Sequence, residues 1–207
     1  MTRRQPRRLP LAATALAAAA LATGAAGAAG RLGASAQGAS GPAPGQTPRF
    51  GLTDPTLLTD SPAKRDAALA DASALGVTFI RAQLSWAATE PSPGVYDWRP
   101  FDELVEAAAA HHLSVLALVD FTPGWATPLG CARYMCAPAH PGQFAAFARA
   151  AAARYGPAGV HDWEVWNEPN SAHFWAPAAN AGAYGALVKL TASAIRSVDP
   201  GATIVSG

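Results

Sequence analysis

Short apolar runs alternate with longer amphipathic stretches along the chain from residue 49 onward. The short runs are rich in Val, Ile and Phe, residues that favour strands. They cover residues 49–52, 77–81, 114–119, 160–166 and 203–205. Every residue after the first in the run 114–119 is apolar, which is typical of a parallel strand covered on both faces.

Four stretches with helical periodicity fill the intervals between these runs. The first begins at Ser61-Pro62 and ends at Gly76, and the third begins at Pro141, residue types that start and stop helices. The apolar positions at helical spacing are Phe101, Leu104, Val105 and Ala108 in the second, Phe144, Phe147, Ala148 and Ala151 in the third, and Tyr184, Leu187, Thr191, Ile195 and Val198 in the fourth. The sequence therefore predicts a β-α-β-α-β-α-β-α-β order.

Strict alternation of strands and helices predicts an α/β fold with a parallel sheet and right-handed crossovers. Two architectures fit this order, a doubly wound open sheet and a (β/α)8 TIM barrel. No glycine-rich phosphate loop follows the first strand, which weakens the nucleotide-binding version of the open sheet. Eight β/α units need ~250 residues. We therefore expect residues 49–207 to form the N-terminal part of a barrel, truncated after about strand five.

Composition and charge exclude one large class of partner. The chain has 207 residues, and five of its 15 basic residues lie before residue 37, where there is no acidic residue. From residue 37 onward 10 basic residues stand against 14 acidic ones. A mildly acidic body without a run of Lys or Arg gives no electrostatic attraction for nucleic acid, so we expect no nucleic-acid partner.

The N-terminus has the pattern of a secretory signal. Four arginines precede a long Ala-rich stretch, and Ala34-Ser35-Ala36 fits a small-x-small cleavage site. We predict a signal peptide over 1–36, with arginine pairs that hint at twin-arginine export, and a flexible Gly/Ser/Pro-rich linker over 37–48. The expected location is extracellular, with no membrane partner after cleavage. An uncleaved membrane anchor is the alternative.

Two cysteines lie five positions apart in a loop rich in Pro and Gly. In an exported protein, Cys131 and Cys136 predict a local disulfide. Zinc binding would need further ligands at suitable spacing, and only His140 lies near. We therefore expect neither a metal nor a cofactor.

The segment 163–170, Trp-Glu-Val-Trp-Asn-Glu-Pro-Asn, carries the candidate chemistry. Three of its first four residues are apolar or aromatic, and it presents Asn167 and Glu168 where the fourth strand ends, because Pro169 prevents the strand from continuing. In a barrel the carboxyl ends of the strands form the active-site floor. A glutamate there, flanked by apolar groups, is suited to act as a general acid.

This segment resembles the fourth-strand signature of the clan A retaining glycoside hydrolases, and most of all family 39, with family 5 as a near neighbour. Further motifs agree with the resemblance, which covers residues 50–207. They are Ile80-Arg81, Trp86, Glu90-Pro91, Gly94-Val95-Tyr96-Asp97-Trp98, Thr122-Pro123-Gly124-Trp125, Phe174-Trp175 and Asp199-Pro200-Gly201-Ala202.

The resemblance implies hydrolysis of O-glycosidic bonds in oligosaccharides or polysaccharides by a double displacement that retains configuration. It implies that Glu168 is the acid/base and that Asn167 binds the sugar 2-hydroxyl. Arg81, expected at the carboxyl end of strand two, matches an arginine that supports the nucleophile. The nucleophile itself would be a glutamate at the end of strand seven, which lies beyond residue 207.

Other residues are predicted to line the sugar site. Asp120, at the end of strand three, is a candidate for sugar binding or for capping a loop. Trp86, Trp125 and Trp175 follow strands two, three and four, where they could stack on sugar rings. His173 could line the same pocket.

A second interpretation belongs to another functional class. An unclosed five-stranded sheet leaves an edge and apolar faces that closure would cover. On this alternative the chain is an inactive truncated barrel that acts as a carbohydrate-binding module or as half of an assembled barrel.

Overall fold

The computed structural model describes residues 49–131 and 134–207. The predicted signal peptide over 1–36 and the linker over 37–48 lie outside the described residues. Within the described part, no helix is both long and apolar enough to cross a membrane.

The described residues form five strands and five α-helices in the predicted alternation. The strands are β1 Gly51–Thr53, β2 Phe79–Ser85, β3 Ser114–Asp120, β4 Asp162–Val165 and β5 Thr203–Ser206. The helices are α1 Pro62–Ala74, α2 Trp86–Thr89, α3 Arg99–Ala110, α4 Pro141–Tyr155 and α5 Ala181–Arg196. The short helix α2 was not predicted, because four residues are too few to show helical periodicity.

The sheet is parallel throughout and its strands follow their order along the chain, β1-β2-β3-β4-β5. A doubly wound sheet reverses direction at a switch point, with later strands on the far side of the first. The described strands have no such reversal. The sequential order confirms the barrel-type arrangement.

The two faces of the sheet have different environments. Ile80, Ala82 and Leu84 on β2, together with Trp163 and Val165 on β4, belong to the buried cluster that joins the strands to the helices. Side chains alternate along a strand, so the residues between them point to the opposite face, which we call the inner face. The inner face carries Phe79, Arg81, Gln83, Ser114, Leu116, Leu118, Asp120, Asp162, Glu164, Thr203 and Val205.

The structure corrects the extent of β2. It runs to Ser85, four residues beyond the predicted end, because Gln83 interrupts the apolar run without interrupting the backbone pairing with β3. Arg81 therefore lies in the middle of β2 and not at its carboxyl end. Its long side chain lets it reach the carboxyl ends of the neighbouring strands from that position.

Candidate active site

An ion pair on the inner face connects β2 to β4. Both carboxylate oxygens of Glu164 accept hydrogen bonds from Arg81, with Nε at 2.6 Å from Oε2 and Nη2 at 2.7 Å from Oε1. The Glu164 side chain is 9% exposed and that of Arg81 28% exposed. Its hydrogen bonds to Glu164 raise the pKa of the Arg81 guanidinium, although partial burial opposes this. The guanidinium is therefore a fixed, permanently charged element of the site.

The same guanidinium contacts the Trp-Asn-Glu-Pro segment. Nη2 of Arg81 donates to Oδ1 of Asn167 at 2.9 Å. A guanidinium has no acceptor, so the amide atom that it meets must be the oxygen. The amino group of Asn167 takes no part in this contact, and Asn167 and Arg81 both line a cleft.

The backbone changes direction sharply where β4 ends. Trp166 and Glu168 both have positive φ angles, 68° and 44°, a region that non-glycine residues rarely adopt. The Trp166 amide still donates to the carbonyl of Val119 at 2.8 Å, while its indole Nε1 donates to the carbonyl of Phe174 at 2.6 Å. The indole is buried and anchors the turn, and the next two residues project from the sheet. Glu168 is exposed as a result.

Asp120 lies at the carboxyl end of β3 with no exposed surface. Its Oδ2 accepts a hydrogen bond of 2.8 Å from Nε2 of Gln83, whereas its buried Oδ1 has no partner. Burial raises the pKa of Asp120 to about 8, against the opposing effects of Gln83 and Arg81. A fully buried carboxyl offers no atom to a ligand in this structure, so direct contact of Asp120 with a sugar stays a prediction. Its observed partner is also a side chain and not a loop amide.

Replacing Asp120 by asparagine should change how stability depends on pH. The unfolded chain releases this proton near pH 4 and the folded protein near pH 8, so folding takes up a proton in between. The free energy of unfolding of the wild type then falls as pH rises through that window, by at most about 1.4 kcal/mol per pH unit from this group. In urea titrations at pH 5 and pH 8, we expect Asp120→Asn to gain stability relative to the wild type at the higher pH.

An exposed carboxyl provides the control for that measurement. Asp71→Asn, on the surface of α1, should leave the pH dependence unchanged. A stability difference between Asp120→Asn and the wild type that stays constant from pH 5 to pH 8 would show that Asp120 does not hold its proton in the folded state.

Comparisons with known proteins agree with this geometry. The family model described as Glycosyl hydrolases family 39 matches residues 143–205, which include the Trp-Asn-Glu-Pro segment, and the model described as Beta-galactosidase matches residues 58–136. A beta-xylosidase of Geobacillus stearothermophilus is 51% identical over 49 residues, 23% of this chain and 10% of that protein. Over residues 143–205 the chain is similar to the family 39 glycoside hydrolases.

Solved structures show the same similarity. A monomeric beta-xylosidase from Caulobacter crescentus CB15 superposes with a TM-score of 0.60 at 26% identity. The GH39 enzyme from Xanthomonas axonopodis pv. citri gives 0.58 at 29% identity. Each alignment covers 75% of this chain and 34% of the solved chain. The chain thus spans about a third of the length of these structures.

Two of the three tryptophans predicted as sugar platforms are buried. Trp86 is 0% exposed because Ser85 caps α2, through a hydrogen bond from the amide of Ala88 to Oγ, and α2 begins with Trp86 packed in the core. Trp175 is 4% exposed and lies edge-on to Trp166. Neither ring has a free face for a sugar in this structure, so stacking of Trp86 or Trp175 on a sugar stays a prediction that their burial does not support.

Trp125 and His173 remain candidates for contact with a ligand. Trp125 is half-buried, and its indole Nε1 donates to the carbonyl of Glu90 at 3.0 Å, which fixes the ring after β3. His173 is exposed in the loop that follows Glu168 and packs edge-on against Phe174.

The loop between β3 and α4 is held at several points. Cys131 and Cys136 form a disulfide. The Thr122 amide donates to the carbonyl of Tyr134 at 2.7 Å, and the Ala176 amide donates to the carbonyl of Met135 at 3.1 Å. The second contact ties this loop to the one that carries Glu168. No group of three potential metal ligands occurs in residues 49–131 and 134–207.

Three residues of the site were not assigned a role from the sequence. Glu164 stands between Trp163 and Val165, so a polar residue in an apolar strand was the available signal. Gln83 gave the same kind of signal on β2. Tyr184, treated as a core position of α5, donates its hydroxyl to the carbonyl of Val165 at 2.8 Å and thereby supports the end of β4.

Proposed function

We propose that this chain supplies the acid/base part of a retaining glycosidase that hydrolyses O-glycosidic bonds. The observation that carries the proposal is the arrangement at the end of β4, where an exposed Glu168 follows an Asn167 amide held by Arg81. The relationship to family 39 supports the same reaction class.

In this mechanism Glu168 donates its proton to the glycosidic oxygen as the bond from that oxygen to the anomeric carbon breaks. A carboxylate nucleophile attacks the anomeric carbon and forms a covalent glycosyl-enzyme. Glu168, now a carboxylate, removes a proton from water, whose oxygen attacks the anomeric carbon and releases the nucleophile. The nucleophile would be a glutamate at the end of strand seven, outside the five strands described here.

Asn167 and Arg81 have separate tasks in this proposal. The amino group of Asn167 donates to the sugar 2-hydroxyl, a contact that strengthens as the transition state forms. The positive charge of Arg81 favours the ionised form of a nucleophilic carboxylate placed near it. Trp125 and His173 would contact the sugar or its leaving group at the rim.

The similar proteins indicate which substrates to test first. Beta-xylosidases are among the similar proteins, so we propose a β-xyloside as substrate.

Two features support the proposal that the protein is exported. The disulfide between Cys131 and Cys136 suits an oxidising compartment, as does the signal-like sequence over 1–36.

Turnover of aryl β-D-xylosides by a protein that also carries the strand-seven glutamate, with the anomeric product followed by proton NMR, tests this proposal. We expect the β-anomer to form first, since two displacements restore the configuration. An α-anomer as first product would contradict the retaining mechanism. Oligosaccharide binding without turnover would instead favour the carbohydrate-binding interpretation.

A further inference from the structure

We propose that Glu164 is a positioning residue that acts through Arg81 to orient the side-chain amide of Asn167. Its importance for turnover rests on the glycosidase function proposed above. In the described part of the chain the hydrogen bonds run from Arg81 to Glu164 and from Arg81 to Asn167, with none between Glu164 and Asn167, so the effect of Glu164 passes through the guanidinium.

The first step of the argument is the path of Arg81 across the sheet. Arg81 lies on β2 and Glu164 on β4, with β3 between them. The strand register pairs Arg81 with Leu116 and pairs Leu118 with Glu164. The Arg81 side chain therefore crosses the inner face over β3, where Leu118 is buried and offers no hydrogen bond. Glu164 determines where the guanidinium stops.

The second step is the geometry of the guanidinium. Nε and Nη2 meet the two oxygens of Glu164 at 2.6 and 2.7 Å, a bidentate arrangement that fixes the plane of the group as well as its position. Nη2 has a further hydrogen, which it donates to Oδ1 of Asn167 at 2.9 Å. Because Glu164 fixes the plane of the guanidinium, the Nη2–H bond that carries this last hydrogen points in a single direction.

The third step concerns the two possible orientations of the amide. The oxygen and the amino group of Asn167 exchange places when the amide turns by half a rotation. A donor at Nη2 stabilises the orientation with the oxygen inward and the amino group toward the cleft. A guanidinium free to turn would no longer favour that orientation. A sugar 2-hydroxyl could then meet the amide oxygen instead of the amino group.

A second ion pair on the same strand provides a matched control. Asp162, two residues before Glu164 on the inner face of β4, accepts a hydrogen bond from Arg49 at 2.9 Å. Its removal also deletes a carboxylate and an ion pair from β4, but it leaves Arg81 and Asn167 untouched. Glu164→Gln and Asp162→Asn therefore both remove a carboxylate from β4, but only Glu164→Gln removes one that is hydrogen-bonded to Arg81, the partner of Asn167.

Side-chain amide resonances in 15N–1H spectra of the intact protein give the decisive test. We expect Glu164→Gln to shift or broaden the amide resonances of Asn167, whereas Asp162→Asn leaves them in place. Unchanged Asn167 resonances in Glu164→Gln would overturn the proposal, whether or not the protein hydrolyses glycosides. If Glu164→Gln does not fold, the double replacement Arg81→Met/Glu164→Met leaves no unpaired charge and should move the same resonances.

Kinetics of the glycosidase then measure what the orientation contributes. We expect Glu164→Gln to lower kcat/KM about 10–100-fold, the range for a lost hydrogen bond to a charged group. The loss should fall below about threefold on 2-deoxy substrates and in an Asn167→Ala background, because the interaction is then already absent. An undiminished loss in that background would overturn positioning through Asn167. Absence of turnover in a protein that also carries the strand-seven glutamate would instead contradict the proposed function, and the spectra would still decide the role of Glu164.

Discussion

Replacing Glu168 by glutamine is expected to lower kcat/KM by about 10²–10⁴-fold on xylosides with poor leaving groups, the range over which general acid catalysis contributes. Glutamine has nearly the same shape but no proton to donate to the departing oxygen. Aryl xylosides with strongly acidic phenols need little protonation, so their first step should be almost unaffected. The measurement is kcat/KM across a series of phenols, plotted against the pKa of the leaving group.

The control for that series is a glutamate far from the cleft. Glu106, exposed on α3, can be replaced by glutamine without altering the inner face, and turnover should stay at the wild-type level. Equal losses on good and poor leaving groups in Glu168→Gln would contradict the acid role. Full activity on poor leaving groups would remove Glu168 from the mechanism.

The second large effect is expected on stability, at Trp86. Its ring is buried among Trp125, Phe144 and Phe147, with centroid distances of 5.3, 5.7 and 6.0 Å, and its Nε1 donates to the Glu90 carboxylate at 2.6 Å. Trp86→Ala should reduce the free energy of unfolding by about 3–5 kcal/mol, because it opens a cavity and leaves Oε2 of the buried Glu90 without its donor, while the Gly94 amide still donates to Oε1 at 2.7 Å. Urea unfolding followed by circular dichroism gives the value.

Two further variants make this expectation specific. Leu129→Ala removes a fully exposed apolar side chain and should leave the unfolding midpoint unchanged. Trp86→Phe retains much of the ring volume and should lose less stability than Trp86→Ala. A Trp86→Ala protein with wild-type stability but weakened oligosaccharide binding would restore the original interpretation of Trp86 as a sugar platform.

The fold followed from the sequence because its signals are local. Alternation of apolar runs with helical periodicity indicated the β/α order, and the predicted face of α3 is buried at all four positions, Phe101, Leu104, Val105 and Ala108. The position of Glu168 just after β4 was predicted from a single segment, because that segment includes Pro169, which ends the strand. The end of β4 could therefore be predicted from this segment alone, without information from elsewhere in the chain.

The partners across the sheet could not be obtained in the same way. Arg81 and Glu164 are separated by 83 positions in sequence, and their contact depends on the register of β2, β3 and β4. Strand periodicity determines which face a residue occupies but not how far one strand is shifted against the next. For the same reason the burial of Trp86 depends on packing between α2 and α4 that no local pattern records.

The positive φ of Glu168 means that two selective pressures oppose each other at one position. Glycine would adopt this backbone conformation with less strain, whereas the proposed acid/base role needs a side chain that can deliver and recover a proton. Selection for thermal resistance alone would therefore favour losing the carboxylate. A directed-evolution experiment on this protein should keep turnover in its selection, since a library sorted on folding alone would enrich inactive sequences at position 168.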